Sequence, residues 1–498
     1  MKKSIILLYI LSCFNIVYSS SVISNINRFE LSKKYLNSVA TKISVSPPFL
    51  SLPGQIFECD LPLNFFKQEQ ALSFDLKFST ALEVQDKKAV FGVFDAIGQY
   101  KTPWLNARVR LNAYNLNSST EYDFQEIEVE RFISDRSAPI TGMSEKDFIM
   151  PEAFLTFMYQ NLQLGFGRKR LRWGPGFKGT LLHSGHTHAP FYFYHFKLDL
   201  ADRIRMSAYL SGYDDEISFD RDDFSMDRVP GKLAMLSENP DQQIPTRYGA
   251  AHRVDVKFNK HFQLGIYEKV SFYGSQDLVR YANPLQMYYV GQRGGDNAPN
   301  LLGGFDFNLI FYPLRIYGEF LNDDITNFDT TGNPSKYALQ LGGSWFFGDG
   351  ILSEIGLEYT HVSYYTYGHY SVLNRHTFWG ESLGWPWGND QDLFHARALF
   401  RFRPDIIARV EANYWLLGEG TVYDSWHEDG RPNYDDKPYF PEDPNRIWSF
   451  ILSATYLPRD WISLNMYYRP WVKNKELNHS FHTYLTIGLP WNLNYSLD

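Results

Sequence analysis

The stretch Leu72-Ser73-Phe74-Asp75-Leu76-Lys77-Phe78-Ser79 alternates apolar with polar side chains at every position. Because successive side chains of a β-strand point to opposite faces, this period of two predicts a strand with one apolar and one polar face. The same alternation recurs at 107–112 and at 253–258. Soluble β-sandwiches and membrane β-barrels both contain such strands, so the connections between strands must distinguish the two architectures.

Strands of about ten residues, the length that crosses a bilayer at a tilt, are predicted at about eighteen places. They lie at 71–80, 104–116, 122–132, 152–160, 162–170, 192–200, 203–212, 250–259, 262–272, 302–312, 314–322, 337–347, 352–362, 393–403, 405–416, 446–457, 460–469 and 480–490. Single-chain bacterial barrels have an even number of strands, which agrees with this count.

Short and long connections alternate along this series. Tight turns are predicted at Asn161, Ala201-Asp202, Lys260-His261, Pro313, Pro404 and Pro458-Arg459. The longest connections, at 213–249, 273–301, 363–392 and 417–445, each follow an odd-numbered strand and therefore lie at one end. Outer-membrane barrels have short periplasmic turns and long external loops. The sequence therefore predicts an all-β chain that forms a transmembrane antiparallel β-barrel in the outer membrane.

The first residues have the three-part layout of a secretory signal. Met1-Lys2-Lys3 is followed by an apolar run at 4–10 and by small and polar residues that end at Ser20. We therefore expect a signal peptide at 1–20. The alternative is a lipoprotein signal, in which Cys13 would carry the lipid.

Residues 21–70 lack the strand period. Their apolar side chains could line one face of a short helix, so we expect a helical segment that lies in the periplasm or plugs the lumen, with a flexible leader as the alternative. The barrel is then expected at 71–498. Cys59 is the only cysteine after the predicted signal, so no intramolecular disulfide is expected.

The composition excludes two classes of protein. After the predicted signal, no stretch of roughly 18 apolar residues occurs, which excludes a helical membrane protein. The formal net charge of −8 argues against nucleic acid as a partner. The chain is 17% aromatic, which suits a barrel with aromatic girdles at the membrane interfaces.

The densest basic segment of the chain is a predicted loop, Arg168-Lys169-Arg170-Leu171-Arg172-Trp173-Gly174-Pro175-Gly176-Phe177-Lys178. The cations Arg170, Arg172 and Lys178 beside the Trp173 indole are candidates for binding an anionic sugar polymer. Arginine forks match carboxylates, and an aromatic face stacks on sugar C–H groups. The alternative is a loop folded into the lumen, with its cations paired to carboxylates of the wall. The sequence leaves both interpretations open.

Two later loops combine aromatic rings with hydrogen-bonding side chains. Their candidate residues are Trp379, Trp385 and Trp387 in the first loop and Tyr423, Asp424 and Trp426 in the second. Exposed rings would offer apolar faces to a sugar while polar groups bind its hydroxyls, so these residues are predicted to bind carbohydrate. The alternatives are an interfacial girdle and loop-to-loop packing.

Catalytic and metal-binding motifs are weak. The histidines His183, His186 and His188 match no established zinc spacing. Ser184 lies in a stretch that lacks the first glycine of the nucleophile elbow G-x-S-x-G. The acidic run at 214–223 suits a solvated loop face better than a calcium site or a site for cations that bridge lipopolysaccharide. We therefore expect neither a catalytic residue nor a metal or other cofactor.

The basic segment also carries a family resemblance. A strand that ends in Gly-Arg, followed by Arg172 and Trp173-Gly174-Pro175-Gly176, resembles the Wzi-like capsule assembly proteins. Asn283-Pro284-Leu285, Gly303-Gly304-Phe305-Asp306-Phe307 and the block from Tyr317 to Asp324 look like later family blocks in the same order. The resemblance covers roughly residues 70 to 490. One departure is the end of the chain at 491–498, which lacks the terminal aromatic residue usual in such barrels.

The resemblance implies an eighteen-stranded outer-membrane barrel with an N-terminal helical segment. It further implies a non-enzymatic protein that binds capsular polysaccharide or exopolysaccharide and supports its assembly or attachment at the cell surface. The alternatives are a porin or polysaccharide export channel, which needs an open lumen, and an outer-membrane hydrolase of glycans or lipids, which needs converging catalytic groups. The other expected partners are outer-membrane lipid and lipopolysaccharide, with the chain acting as a monomer.

Overall fold

The wall of the molecule is a single antiparallel sheet in which consecutive long strands pair with one another. The computed structural model describes residues 70–84, 88–118, 147–185, 191–201, 203–213, 246–292, 299–324, 335–347, 350–369, 371–378, 381–422, 424, 427–428, 431–432, 444–459, 462–473 and 476–495. None of the helices in these ranges has the length and the hydropathy of a transmembrane helix.

Eighteen strands build the wall. They are β1 (Gln70–Val84), β2 (Lys88–Lys101), β3 (Leu105–Ser118), β4 (Asp147–Tyr159), β5 (Leu162–Lys169), β8 (Phe191–Ala201), β9 (Ile204–Tyr213), β10 (Arg247–Lys257), β11 (Phe262–Tyr273), β12 (Asn300–Phe311), β13 (Leu314–Asp324), β14 (Lys336–Phe346), β15 (Leu352–Val362), β18 (Gln391–Arg403), β19 (Ile406–Leu417), β22 (Asn445–Arg459), β23 (Ile462–Lys473) and β24 (Glu476–Tyr495).

The loops contain only short elements in the described ranges. Six two-residue strands form three small hairpins: β6 (Arg172–Trp173) with β7 (His183–Ser184), β16 (Thr377–Phe378) with β17 (Glu381–Ser382), and β20 (His427–Glu428) with β21 (Arg431–Pro432). Two short helices, α1 (Leu278–Tyr281) and α2 (Tyr288–Gln292), follow β11. Two 3-10 helices lie at Ser275–Asp277 and Val372–Asn374.

The first strand closes the sheet. β1 pairs along one edge with β2, where Val84 lies opposite Lys88, and along the other edge with β24, where Gln70 lies opposite Tyr495. Every wall strand thus has two hydrogen-bonded neighbours. The sheet therefore has no edge strand whose backbone N–H and C=O groups would lack partners in the membrane. The predicted eighteen-stranded antiparallel barrel is confirmed.

The burial pattern of the wall distinguishes a membrane barrel from a soluble sandwich. On β15, Glu358 and Thr360 are buried, whereas Ile355 and Leu357 are exposed, the latter by 63%. A soluble sandwich shows the opposite order, with apolar side chains inside and polar side chains in water. A barrel that spans a membrane places its polar face in the lumen and its apolar face against lipid, as this wall does.

Replacing Leu357 by arginine should test this orientation. Leu357 lies near the middle of β15, so Leu357→Arg is expected to lower the free energy of unfolding by about 2–4 kcal/mol in lipid vesicles. Phe402→Arg, one residue before the end of β18, is the matched control and should cost about 0–1 kcal/mol. Urea titration of both variants measures the difference. Equal costs at the two depths would contradict the membrane-facing assignment.

The lengths of the connections separate the two ends of the barrel. Connections that follow even-numbered wall strands are short, as at 102–104 and 160–161, whereas the long ones, such as 214–246 and 363–390, all follow odd-numbered wall strands. Large exposed aromatic side chains mark the end with the short turns, including Trp104, Tyr159, Phe258, Tyr312, Trp345 and Phe402. This end has the features of the periplasmic interface. The opposite end, with the long loops, is called the outer end below.

The strand prediction was wrong at one point. β2 was missed, because Val90-Phe91 and Val93-Phe94 are consecutive apolar pairs and the interior glycines Gly92 and Gly98 weaken a strand pattern. The predicted strand at 122–132 lies outside the described residues, and β3 pairs directly with β4. The signal peptide, the predicted segment at 21–70 up to residue 69, and Cys59 also lie outside them.

Candidate functional site

The basic segment predicted as a loop crosses the lumen. Residues 170–185, called the crossing loop, leave β5 and reach the opposite side of the barrel. There the Glu319 carboxylate of β13 accepts hydrogen bonds from the backbone N–H groups of Leu181 (3.0 Å) and Leu182 (3.3 Å). The Glu358 carboxylate of β15 accepts two more from Phe177 (2.5 Å) and Lys178 (3.0 Å). Wall carboxylates thus satisfy backbone donors that a buried loop cannot pair within itself.

Local sequence explains why this loop can lie so close to the wall. Gly174 has a φ of 125°, a region that side chains other than glycine rarely adopt. A Cβ atom at this position would lie 2.8 Å from Cβ of Thr180 and would also clash with the Glu319 carboxylate. The Trp173-Gly174-Pro175-Gly176 motif is therefore a close-packing element of the crossing loop, and Arg315 of β13 donates a hydrogen bond to the Pro175 carbonyl (3.1 Å).

The cations of the crossing loop are engaged by the barrel itself. Lys178 forms an ion pair with Glu411 of β19 (2.9 Å), and Arg170 lies 3.9 Å from Glu152 of β4. Arg172 is partly buried and donates a hydrogen bond to the Gly176 carbonyl. Burial lowers the pKa of the Arg172 guanidinium, while the charges of Glu358 and Glu319 act in the opposite direction. Of the two interpretations of this segment, the structure shows the lumen-folded loop with its cations facing wall carboxylates.

Aromatic contacts hold the crossing loop both near its base at β5 and at its tip around Phe177. Trp173 is buried, with its ring centroid 5.6 Å from that of Tyr209 of β9. His183 Nε2 lies 2.7 Å from the same Tyr209 hydroxyl. At the far end, the Phe177 ring stacks on His395 with centroids 5.5 Å apart, and Arg397 lies above the same ring. Trp173, a candidate sugar contact in the sequence, is therefore a buried packing residue of the crossing loop.

His183 is buried, and its Nε2 lies within hydrogen-bonding distance of the Tyr209 hydroxyl. His186 and His188 lie outside the described residues. In the part of the chain that the structure describes, no group of three or more His, Cys, Asp or Glu side chains is arranged to hold a metal ion.

A second loop packs on the outer side of the first. Residues 363–390, called the covering loop, contact the crossing loop through Tyr367, whose hydroxyl donates to the Leu181 carbonyl (2.7 Å), and through His376, whose Nε2 lies 2.7 Å from the Leu182 carbonyl oxygen. The wall holds this loop at the outer ends of strands. Asp323 at the end of β13 accepts a hydrogen bond from the Tyr367 N–H (2.7 Å).

Arg247, the first residue of β10, is another wall residue that holds the covering loop. Its guanidinium donates to the backbone carbonyls of Leu373 (2.9 Å), Arg375 (2.9 Å) and Thr377 (3.0 Å). A single planar fork thus binds three carbonyls that are separated by only a few residues of chain. The covering loop and the crossing loop together occupy the lumen in two layers.

The predicted tryptophans of the covering loop have different exposures. Trp385 is fully buried, and its backbone N–H donates to the Tyr367 hydroxyl (3.1 Å). Trp387 is only partly buried and lies 5.1 Å from Trp385 and 5.6 Å from Trp415 between ring centroids. The prediction of an exposed ring is therefore wrong for Trp385. Trp387 is partly exposed, and its contact with sugar stays a prediction. Trp379, Tyr423 and Trp426 lie outside the described residues.

Asp424 lies beside the covering loop. Its carboxylate accepts a hydrogen bond from the Thr421 N–H (2.7 Å) and pairs with the Tyr364 hydroxyl. Burial, and to a smaller extent the Asp424 charge, raise the pKa of Tyr364 to about 12, so the phenol stays protonated at neutral pH. The partly exposed side chains of Trp387, Tyr364 and Asp424 together form what we call the outer patch.

Sequence reasoning missed the wall residues that hold both loops: Glu319, Glu358, Glu411, Arg247 and Asp323. Their signal in the sequence is weak, because a charged residue on the polar face of a strand looks the same whether it meets water or a loop. Glu319 and Asp323 do lie in the block from Tyr317 to Asp324 that carries part of the family resemblance.

Comparison with known proteins decides the family. The model of the family described as "Capsule assembly protein Wzi" matches residues 68–451. The chain belongs to the Wzi family of capsule assembly proteins. A search of the curated proteins finds no match.

The solved structure of a Wzi protein agrees with the barrel fold of this family member. Wzi of Escherichia coli, described as an outer-membrane protein involved in group 1 capsule assembly and as a carbohydrate-binding β-barrel, has a TM-score of 0.52 at 15% identity, covering 85% of each chain. Acinetobacter baumannii OccAB4 has a TM-score of 0.47 at 10% identity, covering 86% of this chain and all of the other. Pseudomonas aeruginosa OpdQ has 0.45 at 10% identity with the same coverage. This Wzi family member is an outer-membrane β-barrel.

Proposed function

We propose that this Wzi family member binds capsular polysaccharide or exopolysaccharide at its outer end and retains it at the cell surface without a catalytic step. The observation that carries the proposal is the occupation of the lumen by the crossing and covering loops, which are held by Glu319, Glu358 and Arg247. With the lumen filled by these loops, the polymer would meet the loops at the outer end. The carbohydrate binding described for Escherichia coli Wzi supports the same function.

We assign the sugar contact to the outer patch. Trp387 offers part of an aromatic face, and the Tyr364 hydroxyl and the Asp424 carboxylate can hydrogen-bond sugar hydroxyls. Trp379, Tyr423 and Trp426 remain predicted contacts on the same two loops. Arg170 remains a candidate for binding an anionic group of the polymer. Arg172, Trp173, Lys178 and Trp385 would contribute to binding by holding the loops that present this surface.

Trp387→Ala is expected to weaken polysaccharide binding roughly tenfold, because the stacking face for the sugar ring is lost. The matched control is Trp448→Ala. Trp448 is 48% exposed and stacks on Tyr414, with ring centroids 4.2 Å apart. Because it lies on the outward face of β22 and not on the outer patch, its loss should leave binding unchanged. Binding of purified capsule to immobilised protein measures both variants. An unchanged affinity for Trp387→Ala would remove the outer patch from the site.

The function itself is tested in cells and in planar bilayers. Deletion of the gene is expected to shift polysaccharide from the cell-bound to the shed fraction, and complementation with the full chain should restore attachment. Purified protein should show no large steady conductance. Unchanged attachment would contradict the proposal, large currents would favour the channel alternative, and release of shortened glycan would favour the hydrolase alternative.

We also propose that the chain acts as a monomer in contact with lipopolysaccharide. The β1–β24 pairing closes the barrel within one chain, so no partner strand is needed. Cross-linking in native outer membranes should give a single-chain band together with lipopolysaccharide adducts, and a dominant two-chain band would contradict it.

A further inference from the structure

One described loop segment lies on the outside of the barrel. Residues 274–292, called the outer segment, follow β11 and contain α1 and α2. Their buried side chains pack on outward-facing residues of the wall, whereas the crossing and covering loops contact inward-facing ones. The cluster consists of Tyr281 and Tyr288 of the outer segment with Ala250, Val270 and Phe272, and with Leu210, Tyr248, Leu278 and Leu301 packed against them.

The direction of these wall residues follows from strand alternation. On β11, Tyr267 points into the lumen, where its hydroxyl donates to Glu319 (3.0 Å). Val270 and Phe272 differ from Tyr267 by odd numbers of residues and therefore point outward. On β10, Arg253 points inward to Asp306, so Tyr248 and Ala250 point outward by the same rule. The outer segment thus covers part of the wall that would otherwise face lipid.

The outer segment reaches the middle of the wall. His252 and Glu268 lie opposite each other on the outward face, with an N–O distance of 3.3 Å. His252 is five residues from either end of β10. At a rise of about 3.4 Å per residue and a tilt of about 45°, this places the pair roughly 12 Å below the outer end of the strand. A bare polar pair at this depth would be costly in hydrocarbon.

Tyr288 covers this polar pair. Its ring centroid lies 4.4 Å from that of His252, and its backbone N–H donates to the Glu268 carboxylate (2.8 Å). Because the first residue of α2 is in contact with mid-wall residues, the segment descends along the outside of the barrel into the depth of the membrane. Beyond it, Ile266 and Phe305 continue the exposed apolar wall.

The face of the outer segment that points away from the wall is apolar. Its exposed large side chains are Val279 (85%), Leu285 (79%), Val290 (64%), Met287 (61%) and Tyr289 (49%). Such a cluster is unfavourable in water but matches the lipid-facing wall with which it is continuous. We propose that the outer segment is embedded in the outer membrane and binds acyl chains of the lipid, serving as a membrane-contacting cover for the His252–Glu268 pair.

Single-cysteine labelling tests this proposal on the full chain. Leu285→Cys and Val290→Cys are made in a background in which Cys13 and Cys59 are both replaced by serine. The variants are labelled with a polarity-sensitive fluorophore and reconstituted in phosphatidylcholine vesicles. Ile266→Cys on the lipid-facing wall and Asn259→Cys in the turn between β10 and β11 are the matched lipid and water controls. Heat-modifiable electrophoretic mobility confirms that each variant is folded.

Lipids with brominated acyl chains should quench labels at 285 and 290 as strongly as at 266, and aqueous iodide should quench them much less than at 259. Quenching by iodide to the level of Asn259→Cys would overturn the proposal, because the segment would then meet water. Shielding from both quenchers with disulfide formation between chains would also overturn it, because a second copy would then cover this face. None of these results depends on polysaccharide binding.

Discussion

Glu319→Ala is expected to lower the free energy of unfolding by about 3–5 kcal/mol and to open the lumen to ions. The carboxylate is 1% exposed and accepts hydrogen bonds from the Leu181 and Leu182 N–H groups and from the Tyr267 hydroxyl. Each buried donor left without an acceptor costs about 1–3 kcal/mol. The crossing loop would lose its central attachment to β13, so both stability and occlusion should fall.

Urea unfolding and planar-bilayer conductance measure these two effects. Glu319→Gln is the matched control, because it keeps the volume and one oxygen acceptor. It should cost less than the alanine variant and leave conductance near the wild-type level. If Glu319→Ala unfolds at the wild-type urea concentration and conducts no better, the wall carboxylates do not hold the crossing loop.

Arg247→Ala is expected to release the covering loop at a cost of about 3 kcal/mol, because three backbone carbonyls lose a charged donor in a buried site. The carbonyls belong to Leu373, Arg375 and Thr377. Arg375 itself is only 8% exposed, so trypsin should not cleave after it in the wild-type protein and should do so in the variant.

Two control variants separate release of the loop from loss of a charge. Arg247→Lys keeps the charge but has no planar fork, so it should give intermediate cleavage. Arg403→Ala removes an exposed arginine that pairs with Asp405 at a periplasmic turn, and it should change stability by less than about 1 kcal/mol. Resistance of Arg247→Ala to trypsin would mean that the remaining contacts, including those of Asp323 with Tyr367 and of Lys269 with His376, hold the covering loop without Arg247.

The proposed retention of polymer and the occlusion of the lumen depend on the same loop. The covering loop carries Trp387 of the outer patch, and the same loop rests on Leu181 of the crossing loop through Tyr367. We therefore expect variants that loosen these loop contacts to weaken polysaccharide binding as well, although the substituted residues are not part of the outer patch. A measured affinity that is unchanged in Arg247→Ala would separate the two properties.

The sequence by itself determined the strands with clean alternation, such as the one that contains 72–79, and the asymmetry of connection lengths that orients the barrel. Both are local features, since side-chain direction repeats every two residues and a loop length is read directly from the chain. β2 was missed for the same reason: where Val90-Phe91 and Gly92 interrupt the alternation, pairing with β1 and β3 determines the strand instead.

Only the tertiary structure decided what the loops do. Leu181 and Glu319 are 138 residues apart in the chain, and Phe177 and Glu358 are 181 apart, so their contacts exist only after closure brings opposite walls together. The same holds for the outer segment, whose position outside the barrel depends on which wall face its tyrosines meet. A charge or a ring in a loop has the same local sequence signature whether it is exposed or buried, because burial is a property of the neighbours that the closed barrel supplies.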